Sequence, residues 1–242
     1  MKSFLALTRR ELGVYFVSPM AYIILFFILV LSGQFFVRSM VATAAAQAPV
    51  DYRYTLMVQV FLVVLTSPLV TMRLIAEEKN KGTLEIMLTA PISDAAFVLA
   101  KYAAAMVLLG YLLVPTVGYI VIISRYGPID VGAIVCGYLG VLLVGGVLYS
   151  VGLFISSICS SQITAGVLTL LIAVLLVFAQ VAVSGMSENN PWLPVLLYVD
   201  LSNNFGDFLK GVVDRTRMVY LLSITGFFLF LTTRVLDSRR WR

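Results

Sequence analysis

RLIAEEKNKGTLEIMLTAPISDAAFVLAK, residues 73–101, carries eight charges: Arg73, Glu77, Glu78, Lys79, Lys81, Glu85, Asp94 and Lys101. Apolar runs long enough to cross a bilayer flank it on both sides. One charge at the bilayer centre costs roughly 2.5–3.5 kcal/mol, so eight together would cost roughly 20 kcal/mol or more. The stretch is therefore expected in water. Residues 74–101 read as a polar platform between two spans, on which another protein docks.

Composition supports this reading. The chain has 242 residues, of which 61% are hydrophobic and 12% charged, with a mean hydropathy of +1.01. A soluble domain is nearer to about 45–50% apolar and about 25% charged. The expected fold is an all-α integral membrane domain covering residues 1–242. The formal charge of +5 is read as positive-inside asymmetry, and no nucleic-acid partner is expected. There is no His, and the two Cys, Cys136 and Cys159, fall near opposite ends of one apolar run. That argues against a metal site, a structural disulfide and most metal- or His-dependent catalysis.

Six spans are expected at about 20–37, 54–73, 102–124, 132–156, 163–183 and 218–234. One side collects Lys2, Arg9 and Arg10, the four platform cations, and Arg234, Arg239, Arg240 and Arg242. The other side collects Arg38, Arg53, Arg125, Lys210, Arg215 and Arg217. The imbalance places both termini and the platform in the cytoplasm.

Residues 2–17 read as an amphipathic interfacial helix, with Phe4, Leu5, Leu12, Tyr15 and Phe16 on one broad side. An ordinary polar leader is the alternative. Ser18-Pro19 supplies a cap and a first-turn proline for the first span. The fourth span holds Gly132, Gly137, Gly140, Gly145, Gly146 and Gly152, which suits close helix packing or, more sharply, a hinge. Pro68 and Pro115 should kink the second and third spans. The outer segment 184–217 ends in a short amphipathic helix capped by Asp200 or Ser202, with Phe205, Phe208, Leu209, Val212 and Val213 on one face. That helix is too short to span, so it should lie in the outer interface or re-enter beside the last span.

Within the platform the second span should continue as helix through Arg73, Glu77 and Glu78, with Gly82 as its stop. Thr83 can cap a second short helix with Glu85 in its first turn. Leu84, Met87 and Leu88 form a small apolar face, and Ala90-Pro91 ends the segment. Ser93 and Asp94 open the third span. Such a helix fits a groove on a partner. A solvated helical hairpin is the plainer alternative.

The segment AEEKNKGTLEIMLTAPISDAAFVLAKY, residues 76–102, resembles the signature of type-2 ABC export permeases, and the resemblance extends over essentially the whole chain. The ending, DLSNNFGDFLKGVVDRTRMVYLLSITGFFLFLTTRVLDSRRWR, is most similar to the gliding-motility-associated (GldF) permeases and more loosely to the permease of nitrous oxide reductase maturation (NosY). Met87 stands within the usual leucine run. The resemblance implies that residues 83–89 form a coupling helix resting in a cleft of an ATPase subunit dimer. Glu77, Glu78, Lys79, Gly82, Thr83, Leu84, Glu85, Met87, Leu88 and Pro91 would make up that contact. The turn 156–162, with Ser157, Cys159, Ser160 and Gln162, would be a second cytoplasmic contact. A second permease copy or a related permease would pair around a pathway, with Gln59, Thr66, Ser67 and Gln180 as candidates for lining it. Polar residues in spans also simply bond a neighbouring helix.

The chain contains no G-x-x-x-x-G-K-[ST] phosphate loop, so ATP and Mg would sit on the partner ATPase and no cofactor is expected here. An intramembrane enzyme would need ionisable residues inside its spans, and the expected spans have essentially none beyond their ends. An ion-coupled secondary transporter would usually place such residues at mid-span but can use backbone carbonyls for sodium, so it stays as the lesser alternative. The expected role is therefore the permease subunit of an ABC transporter in a bacterial inner membrane. It would serve export or, in the alternative, transmit force to a periplasmic or auxiliary membrane subunit. The chain is not expected to be an enzyme by itself. Substrate is left open.

Overall fold

A computed structural model describes residues 2–47, 52–83, 93–127, 129–179 and 198–240. Every regular element among them is helical. They are α1 (Lys2–Val17), α2 (Pro19–Ala45), α3 (Tyr52–Thr71), α4 (Ala76–Asn80), α5 (Asp94–Leu113), α6 (Val117–Ile123), α7 (Val131–Ile158), α8 (Gln162–Val177), α9 (Leu201–Leu209) and α10 (Arg215–Arg240). Among the described residues, five stretches are long and apolar enough to cross a membrane: Pro19–Ala45, Tyr52–Asn80, Asp94–Ile123, Val131–Ile158 and Arg215–Ser238. The remaining expected span, 163–183, is described as the 16-residue α8. A span needs about 20 residues, and the part of this one from residue 180 onward lies outside the described residues.

Side-chain caps set the helix starts. Ser18 accepts from Met20 N at 3.3 Å with Pro19 in the first turn. Ser93 accepts from Ala96 N at 3.3 Å, Asp130 from Ala133 N at 3.2 Å and Asp200 from Ser202 N at 2.8 Å. Each side chain fills one orphan donor of a first turn. The prolines act differently from each other. At Pro68 the helix continues, and the Ser67 hydroxyl donates to the Val64 carbonyl at 3.1 Å, the acceptor that the proline leaves free. At Pro115 the α-helix gives way to a 3-10 turn over Val114–Thr116.

The bundle is organised around α7. It packs against α3, α5, α8, α9 and α10, and its glycines face those neighbours. A Cβ at Gly137 would overlap Leu56, one at Gly145 would overlap Leu109, and one at Gly152 would overlap Thr71. A Cβ at Gly140 would come within 2.8 Å of Phe208 Cβ, and one at Gly146 within 2.8 Å of the Tyr102 hydroxyl. The stripe is a packing surface: small residues let neighbouring backbones approach. The short outer helix α9 uses it, burying Phe205, Phe208 and Leu209 against α7. Val212 and Val213 do not continue that face. α9 ends at Leu209, Gly211 takes φ +77, and both valines are exposed.

The leader packs on α5 through a face that differs in part from the expected one. Leu7 and Glu11 are buried and Phe4 and Tyr15 half-buried, while Leu5 is 61% exposed. The expected apolar side is divided, one edge meeting α5 and the other, with Leu5, left open.

Gly152→Ala should therefore destabilise the protein by about 1–3 kcal/mol through overpacking. Gly118→Ala, in α6 with nothing within 4 Å of the added methyl, should not. Thermal unfolding in detergent checks this; equal midpoints for the two variants would refute the packing role.

Candidate functional site

The platform end is built by a crossing of α7 with the chain that leaves α3. The expected continuous helix through Arg73 does not occur. α3 stops at Thr71, residues 72–75 form a turn, and α4 starts at Ala76. The cause is Ser156 of α7, whose hydroxyl oxygen accepts from Ile75 N at 3.2 Å and Ala76 N at 2.9 Å and lies 3.5 Å from the Met72 carbonyl. These are donors that a new helix leaves unsatisfied. Three residues on, Lys79 Nζ donates to the carbonyls of Ile158 and Cys159, each at 3.1 Å. A cation at the end of α7 is favoured by the helix dipole. The start of the platform and the 156–162 turn are thus one joined structure.

Lys101 provides the second tie. It was expected in water with the rest of the platform, and it is 1% exposed. Its Nζ lies 2.8 Å from Glu78 Oε1 on α4 and 3.2 Å from Glu11 Oε2 on α1, with the Phe97 ring centroid 5.1 Å away. The long side chain carries its charge to the two carboxylates instead of to solvent, because a buried ammonium needs partners. Glu78 lies beyond the end of α3, and burial raises its carboxyl pKa against the opposing pull of Lys101. Its Oε2 has no hydrogen-bond partner among the described residues.

The remaining platform residues mark where α4 ends. Glu77 pairs with Lys81 at 2.6 Å across one turn. Gly82 takes φ +70, a left-handed stop that favours glycine. The Thr83 hydroxyl donates back to the Glu78 carbonyl at 3.2 Å. Leu84, Glu85, Met87, Leu88 and Pro91 lie outside the described residues, as does Gln180.

On the second contact, Ser157 is 1% exposed and its hydroxyl donates to the Phe154 carbonyl at 2.6 Å. Ile158 and Ser160 are exposed instead, with Cys159 and Gln162 half-buried. Gln59, Thr66 and Ser67 are buried within this single chain. Thr66 donates to its own helix at Leu62 O, whereas both Gln59 amide atoms have no partner among the described residues. Among the described residues no group of three or more Cys, Asp or Glu is placed to hold a metal ion. Sequence reading missed Glu11 as a member of the site, and it placed Ser156 in the 156–162 turn as a partner contact without its bonds to the start of α4. Glu11 had a signal, since it falls on the same helical line as Leu7 and Tyr15.

This geometry makes Ser156→Ala informative. Two backbone donors would lose their acceptor, at a cost of about 1–3 kcal/mol. Trypsin should cut after Lys79 or Lys81 several-fold faster than in wild type. An unchanged cleavage rate would show that Ser156 does not hold α4.

A family model described as ABC-2 family transporter protein matches residues 40–234. A search of curated proteins found no match. The matched residues include the platform, the glycine-rich α7, α9 and most of α10. Most of the chain is thereby accounted for by one family of multi-pass membrane subunits, which in general work with an ABC-type ATPase. The chain belongs to the ABC-2 transporter family, as a permease subunit of an ABC transporter.

Proposed function

We propose that this permease receives the stroke of a separate ATPase dimer on residues 83–89 and passes it to the bundle through the joined platform end. One observation carries the reading. The segment entering the platform is bonded to α7 through Ser156 and Lys79, and to α1 and α5 through Lys101. A push on residues 81–93 would therefore be felt by three helices, α1, α5 and α7, at once. In this reading the chain is a single domain of six spans, with residues 163–183 completing the fifth. Both termini and the platform face the cytoplasm of a bacterial inner membrane. ATP and Mg are bound by the partner.

The pathway lies between this chain and a second copy or a related permease, with Gln59, Thr66, Ser67 and Gln180 facing it in at least one state. The unpartnered Gln59 amide is the reason to keep that residue in the assignment. The work done is export or force transmission across the membrane, in a complex of the gliding-motility type or of the nitrous-oxide-reductase maturation type.

The test is a Leu84→Asp, Leu88→Asp double variant of a tagged permease, purified together with its ATPase. Two carboxylates on the docking face should abolish co-purification and permease-stimulated ATP hydrolysis. The unfolding midpoint of the permease alone should stay within a few degrees of wild type. An intact, fully active complex would leave residues 83–89 as a solvated hairpin and remove the proposal.

A further inference from the structure

At the other end of the bundle, where α7 and α10 begin, two cavities adjoin. The inner one is a groove of about 480 Å³ between α8, α9 and α10, walled by Ile172, Leu176, Leu201, Ile224, Phe227 and Phe228. Ser223 and Tyr220 are the only residues with side-chain polar atoms in its described lining, and both also line a second cavity of about 470 Å³. That second cavity is polar at its mouth, where Tyr198, Arg215 and Thr216 meet. The Tyr198 and Tyr220 rings pack edge to face at 4.6 Å where the two cavities join.

The charges at the mouth are not equivalent. Arg217 is taken up by Asp207 and by Asn204 Oδ1, to which it donates at 2.8 Å. Asp214 is taken up as the cap of α10, accepting from Thr216 N at 2.9 Å. Arg215 is exposed and has no carboxylate partner among the described residues. A guanidinium with a free fork is matched to a phosphate, which it can hold through two parallel hydrogen bonds. Below it, an apolar groove gives water nothing to bond to, so a hydrocarbon chain is its natural occupant. From Arg215 to Phe228 the helix rises about 20 Å. That distance is comparable to the depth from the headgroup level of a leaflet to the middle of a bilayer whose hydrocarbon core is about 30 Å thick.

We propose that this groove is a phospholipid site: the phosphate lies at Arg215 and Thr216, and one acyl chain runs past Tyr220 and Ser223 to Phe228. The inference rests on the membrane placement of α10 and not on the coupling mechanism. The polar and apolar parts here are continuous and in the order a lipid requires.

The experiment titrates the purified full-length permease with phosphatidylglycerol and counts bound lipid by native mass spectrometry. Wild type should retain one lipid per chain most tightly. Arg215→Gln should weaken that binding at least five-fold, and Ser223→Trp, which closes the passage between mouth and groove, should remove it. Leu222→Trp, on the exposed face of the same helix, should leave it unchanged. Equal retention by all four proteins would overturn the site. A photo-reactive benzophenone side chain at Ile224 tests the occupant without closing the groove. Cross-linking to phosphatidylglycerol supports the proposal, and cross-linking to residues 180–197 of the same chain overturns it.

Discussion

Lys101 is the constraint on which the platform end depends. An ammonium removed from water costs several kcal/mol, and that cost is offset only when opposing charges are held close and well oriented. Here the opposing charges come from α1 and α4, so the ion group forms only when three separate segments are in place. Its worth is specificity of arrangement more than net stability. A hydrophobic triple replacement of similar volume could fold as well, yet it would not fix the leader and α4 in this register. Burial disfavours the charged form of Glu78 and raises its carboxyl pKa, against the opposing pull of Lys101 and, more weakly, of Arg10.

The second constraint is α7. Its N-terminal half accepts α9 over Gly140 and its middle accepts α5 over Gly145; its C-terminal half meets α3 over Gly152 and then supplies Ser156 to begin α4. One helix thus joins the end that holds the apolar groove to the platform end. The same absence of side chains that permits close packing leaves little free volume for independent movement of these elements. In the proposed function, displacement entering at α4 would be carried along α7 as a rigid element.

Much of this was legible in the residues. The membrane class, the caps at Ser18 and Ser93, the Asp200 start of α9 and the Gly82 stop all follow from composition, spacing and local hydrogen bonding. What escaped was set by partners far away in sequence. The break after Thr71 has no local cause, because its acceptor is the Ser156 hydroxyl 81 residues on from Ile75. Lys101 reads as a surface charge until its two carboxylates are placed, and Glu11 reads as an unremarkable member of a leader. Val212 and Val213 fit the helical period of α9, but Gly211 turns the chain before they can use it. The family itself was legible from residues 76–102, which lie within the matched stretch.

The most direct test of this account is the coupling energy between Glu11 and Lys101. It is obtained from the unfolding free energies of wild type, Glu11→Gln, Lys101→Met and the double variant in one detergent. Groups that share a buried ion contact couple by roughly 0.5–3 kcal/mol. The account predicts at least about 1.5 kcal/mol, with the double variant more stable than the sum of the single losses implies. Losses that add to within about 0.5 kcal/mol, as independent sites do, would contradict the claim that Lys101 holds the leader to the platform.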